Sequence, residues 1–159
     1  MKETVKKEIE KIIEEEKYDY SVGEFERKEV YWGHISSQKQ LSEDFIREFQ
    51  DKVDWDYISE YQKLSEKFII EFRKQVNWGY ISCSQKLSLD CIREFQNKLN
   101  WKRISRYQDL SEKFIREFKK KVDWWNISRY QILSKKFIRE FLGDRIDLKR
   151  ILELQKKDF

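Results

Sequence analysis

Serine is the residue this chain repeats at a spacing that could do chemistry. It recurs at 36, 59, 82, 105 and 128, and again at 42, 65, 88, 111 and 134, two series with a period of 23. A hydroxyl becomes a nucleophile only when a base activates it, and His34 is the one histidine in the chain. Cys83 and Cys91 form no CxxC or CxxH spacing and read as free structural thiols. A second recurring element is Arg-Glu, at 47-48, 93-94, 116-117 and 139-140. A row of arginines could grip phosphates, but Ile70 interrupts it and each Arg has a Glu beside it. A ladder of ion pairs between stacked units is the better reading, although exposed pairs contribute little individually. No glycine-rich phosphate loop, H-E-x-x-H or Cys/His metal cluster is present, so neither catalysis nor a cofactor is expected.

The elements that carry these residues are helices. The 159 residues include no proline and only 4 glycines, with 6 Trp, 8 Tyr and 11 Phe to build a core. The first 16 residues are charged throughout and no apolar run reaches membrane-spanning length. A cytoplasmic protein with no membrane partner is expected.

Trp32, Trp55, Trp78, Trp101 and Trp124 are spaced by 23 and define the unit W-x-x-I-S-x-x-Q-x-L-S-x-x-F-I-x-E-F-x-x-x-V-[DN]. Counting Trp as position 0, positions 0, 3, 4 and 7 share one face of a first helix, and 13, 14, 17 and 21 one face of a second. Asp54, Asn77, Asn100 and Asp123 precede the Trp as N-caps, and the serines at position 10 cap the second helix. Helices of roughly 8 and 11 residues are too short to stand alone in water, so stacking must stabilise them. Ser at position 4 is expected to let neighbouring helices approach closely, and the Gln62, Gln85, Gln108 and Gln131 amides to bond backbone groups of the adjacent unit.

The fold expected is all-α: an α-solenoid of five two-helix repeats in a single domain, with 1–31 as N-terminal cap, 32–146 as repeats and 147–159 as a C-terminal half-repeat cap. In the N-terminal cap, Val5, Ile9, Ile12 and Ile13 make one helical stripe, and the repeat phase puts Ile9 and Ile12 on the Trp and Ile positions.

The unit resembles the 23-residue W-x-x-I-S-x-x-Q-x-L-S-x-x-F-I-x-x-F repeats of uncharacterised proteins from giant viruses and other AT-rich genomes. The resemblance covers Trp32 to roughly Ile146. It implies no activity and transfers no functional residue, but it points to a viral, phage or mobile-element origin, where small binding proteins block host machinery from the host cytoplasm.

Function is then sought on the variable positions. Positions 2 and 5 lie furthest from the expected core, with 1 and 8 on the flank. Residues 1–77 carry 14 Lys or Arg against 19 Asp or Glu, and residues 78–159 carry 20 against 11, so the C-terminal half is basic. Tyr80, Lys102, Arg103, Arg106, Trp125, Arg129, Lys149 and Arg150 are the candidate binding residues. A protein partner is favoured. Nucleic-acid binding through the basic half, head-to-tail self-association and a purely structural scaffold are the alternatives. Trp125 doubles the repeat's own Trp124. With Ile132 and Leu142 it is expected to pack the C-terminal cap; if open instead, it is an anchor for a partner.

Overall fold

The computed structural model describes residues 1–25, 30–38 and 40–141. All regular structure among these residues is helical. A long helix α1 (Glu3–Glu16) precedes five hairpins: α2–α3 (Trp32–Gln38, Glu43–Glu48), α4–α5 (Trp55–Tyr61, Glu66–Glu71), α6–α7 (Trp78–Ser84, Leu89–Glu94), α8–α9 (Trp101–Tyr107, Glu112–Glu117) and α10–α11 (Trp124–Tyr130, Lys135–Phe141). The chain forms two compact units, Met1–Asn77 and a second beginning at Trp78. The division falls where the acidic half of the sequence gives way to the basic half. The proposed C-terminal half-repeat, with Lys149 and Arg150, lies outside the described residues.

The helices start where short polar side chains can satisfy their first N–H groups. Asp54 accepts from Asp56 and Tyr57, Asn100 from Arg103 and Asp123 from Asn126. Ser42, Ser65, Ser88, Ser111 and Ser134 each accept from the residue three further on. The core follows the repeat: Ile35, Ile58, Ile81, Ile104 and Ile127 are fully buried, as are Phe45, Phe68, Phe114 and Phe137 and the isoleucines after them. The five repeat tryptophans are only half-buried. Trp101 stacks on Phe118 at 5.0 Å and its indole N–H donates to the Gln96 carbonyl at 2.8 Å, an arrangement repeated at Trp55 and Trp124.

Within each unit, polar side chains tie one hairpin to the next. The Gln108 amide accepts from Leu87 N–H at 3.0 Å and donates to the carbonyls of Ser82 and Gln85 at 3.1 and 2.8 Å. Gln131 repeats this pattern on Leu110, Ser105 and Gln108, and Gln62 bonds Leu41 and Ser36. These buried amides do what the sequence pattern asked of them. The position-4 serines do more than give room: Ser82 Oγ donates to the Trp78 carbonyl at 2.6 Å and accepts the Asn100 N–H at 2.9 Å, so it joins one helix to the cap of the next. Ser36, Ser59 and Ser105 accept the corresponding N–H of Asp54, Asn77 and Asp123.

Two expectations need correcting. The second helix is α-helical for six residues in the first four hairpins (α3, α5, α7 and α9), not roughly 11. At Phe49, Phe72, Phe95 and Phe118 the backbone leaves α geometry, and a tight turn follows in which the Phe49 carbonyl accepts from both Lys52 and Val53. The turn lets Phe and Val, four residues apart, both enter the core. At the N-terminus, α1 does not act as a first helix with Ile9 and Ile12 in the Trp and Ile places. It packs on α3, and Glu8 accepts from the Ser42 N–H at 2.8 Å, the role that Glu43 plays for Ser65 and Glu112 for Ser134. Its stripe Val5, Ile9 and Ile12 is buried, and Phe25 is buried against Trp32 and Phe49.

Candidate binding face

The first helices are seven residues long, just under two turns. One side carries Ile and Ser into the core, the opposite side carries positions 1, 5 and 6, and position 8 follows just past the helix end. In the second unit those positions hold cations and aromatic rings together. Arg106 lies with its guanidinium 5.0 Å from the Tyr107 ring and 4.7 Å from the Tyr130 ring, bridging α8 and α10. Arg129 lies 5.3 Å over Trp125, whose ring meets Tyr130 edge-on at 6.3 Å. Arg103 lies 5.4 Å over Tyr80 and donates to Cys83 Sγ at 3.4 Å. Lys102 is exposed beside them.

The face therefore unites Tyr80, Lys102, Arg103, Arg106, Trp125 and Arg129. Trp125 is 60% exposed and Ile132, just beyond α10, 79%, so both are open to solvent; the C-terminal cap they were expected to pack lies outside the described residues. Leu142 lies outside the described residues. Position 2 is not among the outermost either. Asn126 is buried and its amide donates to the Lys102 carbonyl at 3.3 Å, because position 2 turns toward the preceding hairpin. Arg103, at the same position of α8, is half-buried, as is Tyr80.

Two residues of the face were missed in the sequence. Tyr107 and Tyr130, 53% and 40% exposed, occupy position 6. The available signal was a tyrosine directly before the buried Gln at 61, 107 and 130, a large ring at a register with no core to enter.

The arginines of the second helices are placed differently. Arg93 makes a two-pronged bond to Glu117 at 3.0 Å and lies 5.1 Å over Phe114, and Arg116 donates to Glu140 at 2.6 Å and lies 4.6 Å over Phe137. In the first unit Arg47 does the same with Glu71 and Phe68. Hydrogen bonds from these guanidiniums hold the Glu117 and Glu140 carboxyls below the usual glutamate range. The expected inter-repeat ladder is thus present, and it occupies the arginines that might have formed a phosphate row. By contrast, no carboxylate among the described residues pairs with Arg103, Arg106 or Arg129. The same face of the first unit has tyrosines with acids: Tyr57 and Tyr61 are exposed beside Asp56 and Glu60.

No helix among the described residues is long and apolar enough to cross a membrane. No known protein family matches the chain, and no curated protein or solved structure does.

Proposed function

We propose that the protein acts without chemistry of its own, as a stoichiometric binder that engages an acidic protein surface through the first-helix face of the second unit. The observation that carries this reading is the set of ring-backed arginines that no carboxylate among the described residues pairs with, beside an exposed Trp and two exposed Tyr. Arg, Trp and Tyr are the residues that dominate protein interfaces. A guanidinium laid on a ring keeps its in-plane N–H donors free for a carboxylate. Its side chain is also partly ordered before binding, which lowers the entropic cost of association. For a chain whose repeats resemble viral ones, occupying a host protein's acidic site would make such a binder an inhibitor.

The test compares proteins captured by the wild type with those captured by Lys102→Glu/Arg106→Glu/Arg129→Glu, after nuclease treatment. At least one protein retained by the wild type and lost by the variant is expected; identical captures refute the reading. Exposed rings beside cations also suit single-stranded nucleic acid. Affinity for labelled oligonucleotides that falls steeply with salt, and is absent from the variant, would select that second reading.

A further inference from the structure

We infer that the occupant of this face is an extended acidic polypeptide segment with an apolar side chain at every third residue, an inference that rests on the acidic-partner reading above. A groove recurs along the second unit. One copy is lined by Lys86, Leu87, Tyr107 and Asp109, and the next by Asp109, Leu110, Tyr130 and Ile132. The two are repeat equivalents, since Tyr107 and Tyr130 share position 6 and Leu87 and Leu110 share position 9. They therefore lie one repeat apart. Packed helices sit about 8 to 10 Å from each other and an extended chain advances about 3.3 Å per residue, so every third residue meets the next groove.

The chemistry of the walls sets the rest. Each groove combines an aliphatic leucine with a tyrosine ring, which suits an apolar side chain. Arg106 stands against the walls of both grooves, with its guanidinium near Tyr107 and Tyr130. Residues between the apolar ones thus pass Arg106, where a carboxylate gains charge-assisted bonds, and Arg129 stands over Trp125, whose ring meets Tyr130 of the second groove. Asp109 belongs to both grooves. Its carboxylate accepts from the N–H donors of a peptide backbone, which a sugar-phosphate backbone lacks. The guanidiniums also cover one face of the Tyr107, Tyr130 and Trp125 rings, which reduces the stacking surface open to nucleobases. These two features favour a peptide over a nucleic acid.

The experiment titrates the full-length protein into three fluorescein-labelled probes read by anisotropy: the nonapeptide (Val-Asp-Asp)3, a permuted nonapeptide of three Val followed by six Asp, and an oligo(dT) of equal charge. The periodic peptide is expected to bind about 5-fold or more tighter than the permuted one, since only it fills both grooves. Arg106→Glu/Arg129→Glu should weaken it about 10-fold or more, and Ile132→Ser should erode the preference between the peptides; circular dichroism checks that both variants keep the helical fold. Equal binding of the two peptides overturns the period and leaves the acidic-partner reading standing. Failure of both peptides overturns the segment; the parent reading falls only if the charge-reversed variant also captures the same proteins as the wild type. Tighter binding of oligo(dT) assigns the face to nucleic acid. Sedimentation of the protein alone adds the last outcome: a dimer lost in Arg106→Glu/Arg129→Glu means that a second copy covers the face, and overturns the inference.

Discussion

Arg93 and Arg116 on the second helices, and Arg103, Arg106 and Arg129 on the first, belong to the same three hairpins yet meet different surroundings. The former point along the stack, where the next hairpin supplies a glutamate and a buried phenylalanine. The latter stand on a face where, among the described residues, tyrosines and no carboxylate meet their guanidiniums, and they lie on rings that are open or half-open to solvent. The difference is one of register. A cation at position 15 contributes to stacking, whereas one at position 5 leaves its charge available. Charge counting along the chain does not separate the two sets, because both are plain arginines on short helices.

The contrast can be broken most strongly through the rings beneath the arginines. Phe114→Ala should destabilise the protein by about 3 to 5 kcal/mol, since Phe114 is fully buried. Tyr130→Ala should stay within about 0.5 kcal/mol and weaken binding instead. Denaturant midpoints of the two variants decide it, and similar costs would erase the distinction between frame and free face. Gln108→Leu should cost about 3 kcal/mol, because it leaves the Leu87 N–H and the carbonyls of Ser82 and Gln85 buried without the amide. Its circular dichroism melt should shift accordingly, with no change specific to the Arg106 face.

The tryptophan doublet sharpens the same comparison at a smaller scale. Trp124 is half-buried on Phe141, so Trp124→Ala should cost about 2 to 3 kcal/mol, below the range for a fully buried aromatic. Trp125→Ala should cost no more than about 0.5 kcal/mol and lower affinity for the partner. The smallest effect is in pH. Arg93 holds the Glu117 carboxyl below its ordinary value of 4.5, so the pair's contribution is present above that value and is lost as pH falls through it and below. Glu117→Gln should therefore lower the melting temperature slightly at neutral pH, and the difference should vanish in acid. Arg106→Gln should show no such pH-dependent difference.

Much of the frame could be read directly. The serine and Asp/Asn caps, the buried Ile-Phe-Ile set, the bridging glutamines and the Arg-Glu ladder all follow from a strict 23-residue period in which the same chemistry recurs at the same place. Glu8 was obscure because α1 is one 14-residue helix outside that period, and only its bond to Ser42 reveals which partner it has. Asn126 looked exposed because two turns of helix cannot show which side meets the preceding hairpin. Tyr107 and Tyr130 were overlooked because their aromatic character suggests a core, although position 6 offers none.

The sequence alone therefore determined where the capped repeat helices begin and which Ile and Phe form the core, because capping and apolar periodicity depend on neighbours a few residues away. It also determined that the C-terminal half is basic. Only the tertiary structure decided which of those basic residues stay uncompensated. Pairing requires an acid from the next hairpin to arrive within hydrogen-bond distance, as Glu117 does for Arg93 at 3.0 Å. Where a ring arrives instead, as Tyr130 does for Arg106 at 4.7 Å, no carboxylate among the described residues neutralises the charge.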